Sequence, residues 1–182
     1  LLSIPASLGL ILASEEIVNA LFGYGSFSKV DVKLTASALK YFGYGVPAFA
    51  LVKILSNFFF ARDNTKIPFY ISIVLVVINI FISLSLFSKF GFIIIPIATS
   101  IATWIGVFIY AYLLNQKKSL LLSIKLIPNF IKILVSTMIM SVILILLLDN
   151  YENYLNYSYK FKAIYLLSIV GFVGIVYLLS CY

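Results

Sequence analysis

Residues 90–116 run for 27 positions without a charged side chain, and residues 67–87 for another 21. A helix rises about 1.5 Å per residue, so about 20 apolar residues cross the ~30 Å hydrocarbon core of a bilayer. Six segments meet or approach that requirement: residues 1–21, 37–61, 67–87, 90–116, 126–148 and 163–182. Strands are excluded by pattern. A membrane strand alternates apolar and polar residues with period two, whereas Ile73-Val74-Leu75-Val76-Val77-Ile78 and Ile143-Leu144-Ile145-Leu146-Leu147-Leu148 are apolar throughout. The expectation is an all-α integral membrane protein of about six transmembrane helices.

Composition agrees. The 182 residues are 63% hydrophobic and only 10% charged, with a mean hydropathy of +1.14. Water-soluble domains carry about 25% charged residues, so this chain lacks the polar surface to cover a soluble globule. The net charge of +7 does not indicate nucleic acid, because basic residues on membrane proteins mark loops and no basic cluster resembles a groove-reading helix. One cysteine, Cys181, excludes an internal disulfide, and the absence of histidine removes the usual zinc and copper ligand sets. It also removes histidine-based triads and proton relays. Serine and threonine have no base beside them, so no enzyme is expected and no catalytic residue is assigned. Leu1 stands already inside an apolar run with no charged n-region, which argues against a signal peptide. The amino end reads as a cut through a membrane helix, and the carboxyl end, Cys181-Tyr182, ends on an apolar segment in the same way.

The connections have their own chemistry. Phe22-Gly23-Tyr24-Gly25-Ser26-Phe27 supplies glycines for a tight turn, and Ser28 with Asp31 makes an S-x-x-D capping pattern. A helix starting near Lys29 and running to Phe60 would be about 48 Å long, with a kink expected at Pro47. Arg62-Asp63-Asn64-Thr65-Lys66 is a short polar loop, and Pro68 suits the first turn of the next helix. Residues 88–91 make another tight connection, while residues 115–125 carry Lys117, Lys118 and Lys125. Residues 149–162 form a polar loop with Tyr151, Tyr154, Tyr157 and Tyr159, rings suited to an aromatic belt at the headgroup level. Orientation is undetermined by charge. Six basic residues fall on one side (Arg62, Lys66, Lys117, Lys118, Lys125, Lys132) and six on the other (Lys29, Lys33, Lys40, Lys89, Lys160, Lys162).

Lys53 stands alone in the middle of a lipid-competent segment, residues 41–61. A charge near the bilayer centre costs between ~3 and ~17 kcal/mol, so such residues face a bundle interior, a polar cavity or a partner. Snorkelling to the headgroups is the competing explanation, but Arg62 is nine residues away, about 13 Å along a helix. A buried, cavity-facing lysine is favoured. Asn79 and Ser83 are spaced i, i+4 on one helix face, and Thr99 and Ser100 lie in the following segment. Their oxygens could coordinate sodium, although interhelical hydrogen bonding is the commoner meaning of such residues. Ala98, Ala102 and Gly106 form a small-xxx-small seam for helix packing, and Gly171 and Gly174 make a weaker one. Arg62-Asp63 closes the second segment as a surface ion pair or as part of a gate.

Several blocks, taken in order, resemble the carboxyl-terminal part of the lipid II flippase family MurJ, or MviN. They are Leu21-Phe22-Gly23-Tyr24-Gly25-Ser26-Phe27, Gly45-Val46-Pro47-Ala48-Phe49-Ala50-Leu51-Val52-Lys53-Ile54-Leu55, Phe59-Phe60-Ala61-Arg62-Asp63-Asn64-Thr65-Lys66-Ile67-Pro68 and Ala98-Thr99-Ser100. The likeness spans the chain, is strongest over residues 21–68 and is weak after Gln116. It implies helices nine through fourteen of a fourteen-helix transporter in the multidrug/oligosaccharidyl-lipid/polysaccharide exporter group. Residues 1–116 would be four helices of the second lobe, the first truncated, and residues 117–182 two additional helices matching a groove for the lipid tail. It further implies a multi-pass protein of the bacterial inner membrane that moves lipid-linked peptidoglycan precursor by alternating access, partnered by membrane lipids and by an amino-terminal lobe. The loop 62–66 would be cytoplasmic and the loop after Phe22 periplasmic. Lys53 would be the phosphate-side cation. Asn79 and Thr99 would match sodium ligands of some members, while Ser83 departs from the carboxylate or amide expected there. The alternatives are an exporter of another lipid-linked oligosaccharide or a drug, and a non-transporting scaffold or gene remnant.

Overall fold

The computed structural model describes residues 2–116, 126–155 and 162–181. Among them are seven α-helices and one 3-10 turn: α1 Ser3–Leu12, α2 Ser14–Phe22, α3 Lys29–Phe60, α4 Lys66–Phe90, the turn Gly91–Ile93, α5 Ile94–Gln116, α6 Leu126–Leu155 and α7 Lys162–Cys181. No strand occurs among the described residues. Four stretches are long and apolar enough to cross a membrane, and a fifth is the bent pair α1–α2. One of the four, Lys66–Gln116, is 51 residues long and folds back on itself at Gly91, giving α4 and α5.

The first segment differs from a single truncated helix. It breaks at Ala13 into α1 and α2, which are bent by 72°. Ser14-Glu15-Glu16 explains where the break falls, since two carboxylates in a first turn favour a new helix start against the macrodipole. The second segment is as long as its caps implied. The Ser28 amide and hydroxyl donate to Asp31 Oδ2 at 2.9 and 2.7 Å, and the Asp31 amide donates to Ser28 Oγ at 3.2 Å, a reciprocal capping box at the head of the 32-residue α3. Gly25 and Gly91 take φ of +61° and +62° in the two expected turns, a conformation open to glycine at little cost. α6 continues as helix to Leu155, so residues 149–155, expected as loop, are helical. Residues 156–161, with Tyr157 and Tyr159, and residues 117–125, with Lys117, Lys118 and Lys125, lie outside the described residues.

The chain divides into two compact units, Leu1–Gly43 with Ile124–Tyr182, and Tyr44–Ser123. In the first, Ala13, Ala20, Met140, Leu144, Leu148, Leu166, Ile169, Val173 and Tyr177 form one apolar core, and Val18, Val32 and Ala36 a smaller one. The Ser136 hydroxyl donates to the Ser180 carbonyl at 2.9 Å, pinning α6 to α7. In the second unit, α4 and α5 are antiparallel: Asn79 meets Thr99, Leu75 lies at Gly106, and Ile71 clusters with Tyr110 and Leu114. Residues 44–60 of α3 run parallel to α5, with Gly45 against Ser100, Val52 against Gly106 and Phe59 against Tyr110, ring centroids 5.7 Å apart.

Candidate functional site

The packed edge of α3 fixes where Lys53 points. Gly45, Ala48 and Phe59 are buried, and Val52 and Leu55 pack against the core around Phe59, Ile71, Tyr110 and Leu114. At 100° per residue, Lys53 and Asn57 fall on the far side of the helix from this edge, with Ser56 at the border between the two faces. Lys53 and Asn57 are both exposed. The Ser56 hydroxyl donates to the Lys53 carbonyl at 3.0 Å, and among the described residues no side chain pairs with the Lys53 ammonium. The lysine is therefore exposed on this chain rather than enclosed by it. Its surroundings form a short polar strip, Lys53-Ser56-Asn57, on an apolar helix. Asn57 was overlooked in the sequence, although its i, i+4 spacing from Lys53 was the available signal.

The small-residue seam of α5 is a packing surface. Ala98 and Ala102 are buried to 0% and 3% exposure, and a Cβ added at Gly106 would lie 2.7 Å from Leu75 Cδ1. Gly45 is equally tight, since its added Cβ would lie 2.7 Å from Ser100 Oγ and 3.3 Å from Ser100 Cα. Trp104 Nε1 donates to the Tyr44 carbonyl at 3.1 Å. Neither Gly45 nor Trp104 stood out in the sequence, because close backbone approach leaves no periodic trace.

Asn79, Ser83 and Thr99 do come together. Asn79 Nδ2 donates to Thr99 Oγ1 at 2.8 Å, Ser83 Oγ lies 3.4 Å from Asn79 Oδ1, and Thr99 Oγ1 donates to the Ile95 carbonyl at 2.8 Å. This is a hydrogen-bonded chain across α4 and α5. The side-chain oxygens of these three residues are all neutral, and each takes part in a hydrogen bond of this chain. Ser100 is buried and sits instead against Gly45.

Arg62 and Asp63 terminate α3. The Asp63 and Asn64 amides donate to the Phe60 and Phe59 carbonyls, each at 3.0 Å, and Asp63 takes φ +54°, the left-handed geometry common just past a helix end. The Arg62 guanidinium stacks on the Phe58 ring at 4.0 Å from its centroid, a cation–π contact. Asn64 Oδ1 then accepts the Ile67 amide at 3.3 Å, opening α4. Pro68 is buried in that first turn.

An all-helical fold with several lipid-competent spans and a tightly seamed helical hairpin defines a multi-pass membrane protein. Comparison with known proteins identifies which kind. The family model described as lipid II flippase MurJ matches residues 1–166. A "Probable lipid II flippase MurJ" of Rickettsia prowazekii (strain Madrid E) is 36% identical over an alignment of 188 residues, covering 99% of this chain and 37% of the relative. The corresponding protein of Buchnera aphidicola subsp. Schizaphis graminum (strain Sg) is 31% identical, over 99% of this chain and 35% of the relative. A solved structure, "Lipid II flippase MurJ, inward closed conformation", superposes with a TM-score of 0.73 at 29% identity, covering 98% of this chain and 35% of that one. The chain belongs to the MurJ lipid II flippase family and is a multi-pass protein of the bacterial inner membrane. It spans a little over a third of the length of these relatives.

Proposed function

We propose that this chain forms part of a transporter that moves lipid II, the undecaprenyl-linked peptidoglycan precursor, from the cytoplasmic to the periplasmic leaflet by alternating access. Residues 1–116 serve as part of the second lobe and residues 117–182 as two additional helices. Alternating access needs two lobes rocking against each other, so the activity belongs to the whole protein, with an amino-terminal lobe as this chain's partner.

The observation that carries this reading is the exposed Lys53 in the interior of α3. An ammonium there, facing acyl chains, would cost between ~3 and ~17 kcal/mol. Facing a water-filled chamber through which an anionic headgroup passes, the same group attracts the cargo phosphates, with Asn57 beside it as a neutral hydrogen-bonding partner. The prenyl tail can stay in lipid. Arg62 and Asp63 shape the end of α3 at the membrane interface, and the Asn79–Thr99 bond holds the α4–α5 hairpin; no ion-coupling step is assigned to it.

Complementation of flippase-depleted bacteria with the full-length coding sequence tests the reading. Growth is restored by the native sequence, reduced at least tenfold in plating efficiency by Lys53→Ala, and retained by Lys53→Arg. Full growth with Lys53→Ala would retire the cavity cation. Failure of the native sequence despite membrane insertion would retire lipid II as cargo and leave another lipid-linked oligosaccharide or a drug.

A further inference from the structure

The opening turns of α3 carry charge that the proposed transport does not use. Lys40 is the last charged residue before the apolar stretch 41–61, and Lys33 and Lys29 precede it on the same helix. A helix turns about 100° per residue, so the three lysines fall within an arc of about 40° on one side. The neighbouring edge of the helix is committed to packing: Val32 and Ala36 are buried in a small core with Val18 of α2. All three lysines are exposed, and among the described residues no carboxylate pairs with any of them. Asp31, the one acidic residue of α3, stands on the opposite side of the helix. It is engaged in the capping box, where it accepts the Ser28 amide and hydroxyl at 2.9 and 2.7 Å. The result is a stripe of three cations with no counter-charge, ending where the apolar stretch begins.

We propose that this stripe binds the phosphate headgroups of anionic phospholipids in the leaflet it faces. Lys40 adjoins the apolar stretch and so stands at headgroup depth, where phospholipid phosphates surround the protein. Lys33 and Lys29 lie about 10 Å and about 16 Å further along the helix, whereas the headgroup region is only about 5–8 Å deep on each side of the membrane. Attraction between a basic residue and an anionic leaflet falls off within a Debye length, about 8–10 Å at ordinary salt. The three lysines are therefore unequal: Lys40 contributes most, Lys33 less and Lys29 least. Lysine suits a moving headgroup layer, because its ammonium is a compact point charge on a flexible stem and imposes no fixed bidentate geometry. The stripe acts whatever the cargo, so its test does not depend on transport.

The test uses the full-length protein in nanodiscs of equal parts phosphatidylglycerol and phosphatidylcholine. A photo-crosslinking amino acid replaces Ser37, which lies one turn from both Lys33 and Lys40 and whose hydroxyl donates to the Lys33 carbonyl of its own helix at 2.8 Å. Mass spectrometry identifies what is captured, with phosphatidylcholine adducts as the internal reference. The native stripe is expected to give about a tenfold excess of phosphatidylglycerol adducts. Lys40→Gln lowers the excess to about twofold, Lys33→Gln about halves it, and Lys29→Gln leaves it nearly as it was. Lys40→Arg keeps it. Equal capture of the two phospholipids by the native protein overturns the proposal, as does an excess that survives replacement of all three lysines by glutamine. Capture of another part of the protein in place of lipid makes the stripe a contact within the transporter and also overturns it. Lipid II added to the same nanodiscs is expected to leave the ratio unchanged; adducts that move to lipid II would assign the stripe to the cargo and overturn the phospholipid site.

Discussion

Gly106 in α5 and Gly174 in α7 are the same residue in two apolar helices of similar length, yet they do opposite things. A Cβ at Gly106 would strike Leu75 and come within 3.4 Å of Val52 Cγ2, whereas a Cβ at Gly171 or Gly174 would meet nothing within 4 Å. The first is a seam, where a missing side chain lets neighbouring helices interdigitate. The second pair, expected as a weaker seam, instead lines an apolar groove of about 640 Å³ with Pro5, Gly9, Met140 and Leu144. Inside a bilayer the hydrophobic effect does not hold helices together, so association rests on packing and hydrogen bonds. A small residue therefore means contact only where a partner helix fills the space it leaves.

The largest effect that would break this contrast is expected at the closest approach. Gly45→Ala places a methyl against Ser100, whose Cα is backbone and cannot swing aside, so a loss of about 1–3 kcal/mol is expected. Gly106→Ala meets the flexible end of Leu75 and should cost less, about 1 kcal/mol, with Gly106→Leu costing more than either alanine variant. Thermal melting of the full-length protein in detergent reads these losses. A Gly45→Ala protein that melts with the native one would show that α3 and α5 are not packed as described.

Next come the hydrogen bonds between helices. The Asn79–Thr99 bond joins α4 to α5 and the Ser136–Ser180 bond joins α6 to α7. Asn79→Leu and Ser136→Ala are each expected to cost about 0.6 kcal/mol, and at most ~2. If Asn79→Leu also made transport dependent on external sodium in a way the native protein is not, or abolished an existing dependence, the cluster would have to be reassigned as an ion site. Unchanged sodium response with a slightly lower melting temperature sharpens its role as a clasp.

What the sequence disclosed follows the same division between local and tertiary causes. The capping box at Ser28 and Asp31, the turns at Gly25 and Gly91 and the start of α4 at Pro68 depend on residues a few positions apart, and they stand where their chemistry placed them. The seam through Ala98, Ala102 and Gly106 was legible because period-four spacing brings small residues onto one face. The break at Ala13 was missed because apolar length dominated the reading of residues 1–21, although Ser14-Glu15-Glu16 carried a helix-start signal. The exposure of Lys53 and the distinction between Gly106 and Gly174 could not be read at all. Both depend on which neighbour occupies the facing space, and that is settled by residues distant in the chain.

The smallest expected effect is also the most discriminating. Gly171→Ala and Gly174→Ala add a methyl to a helix face where nothing lies within 4 Å, so no overpacking term opposes them. Alanine also removes the backbone freedom that glycine loses on forming a helix, worth at most ~1 kcal/mol in its favour. The net change should lie between zero and a slight gain in melting temperature, opposite in sign to Gly45→Ala and Gly106→Ala. Gly174→Leu extends further, toward Met140 and Leu144 across the groove, and should also be tolerated, because it adds dispersion contacts without displacing a packed helix. If either alanine variant in α7 destabilised the protein as much as Gly106→Ala does, a further helix must occupy the groove in the whole protein. The two glycine patterns would then be one.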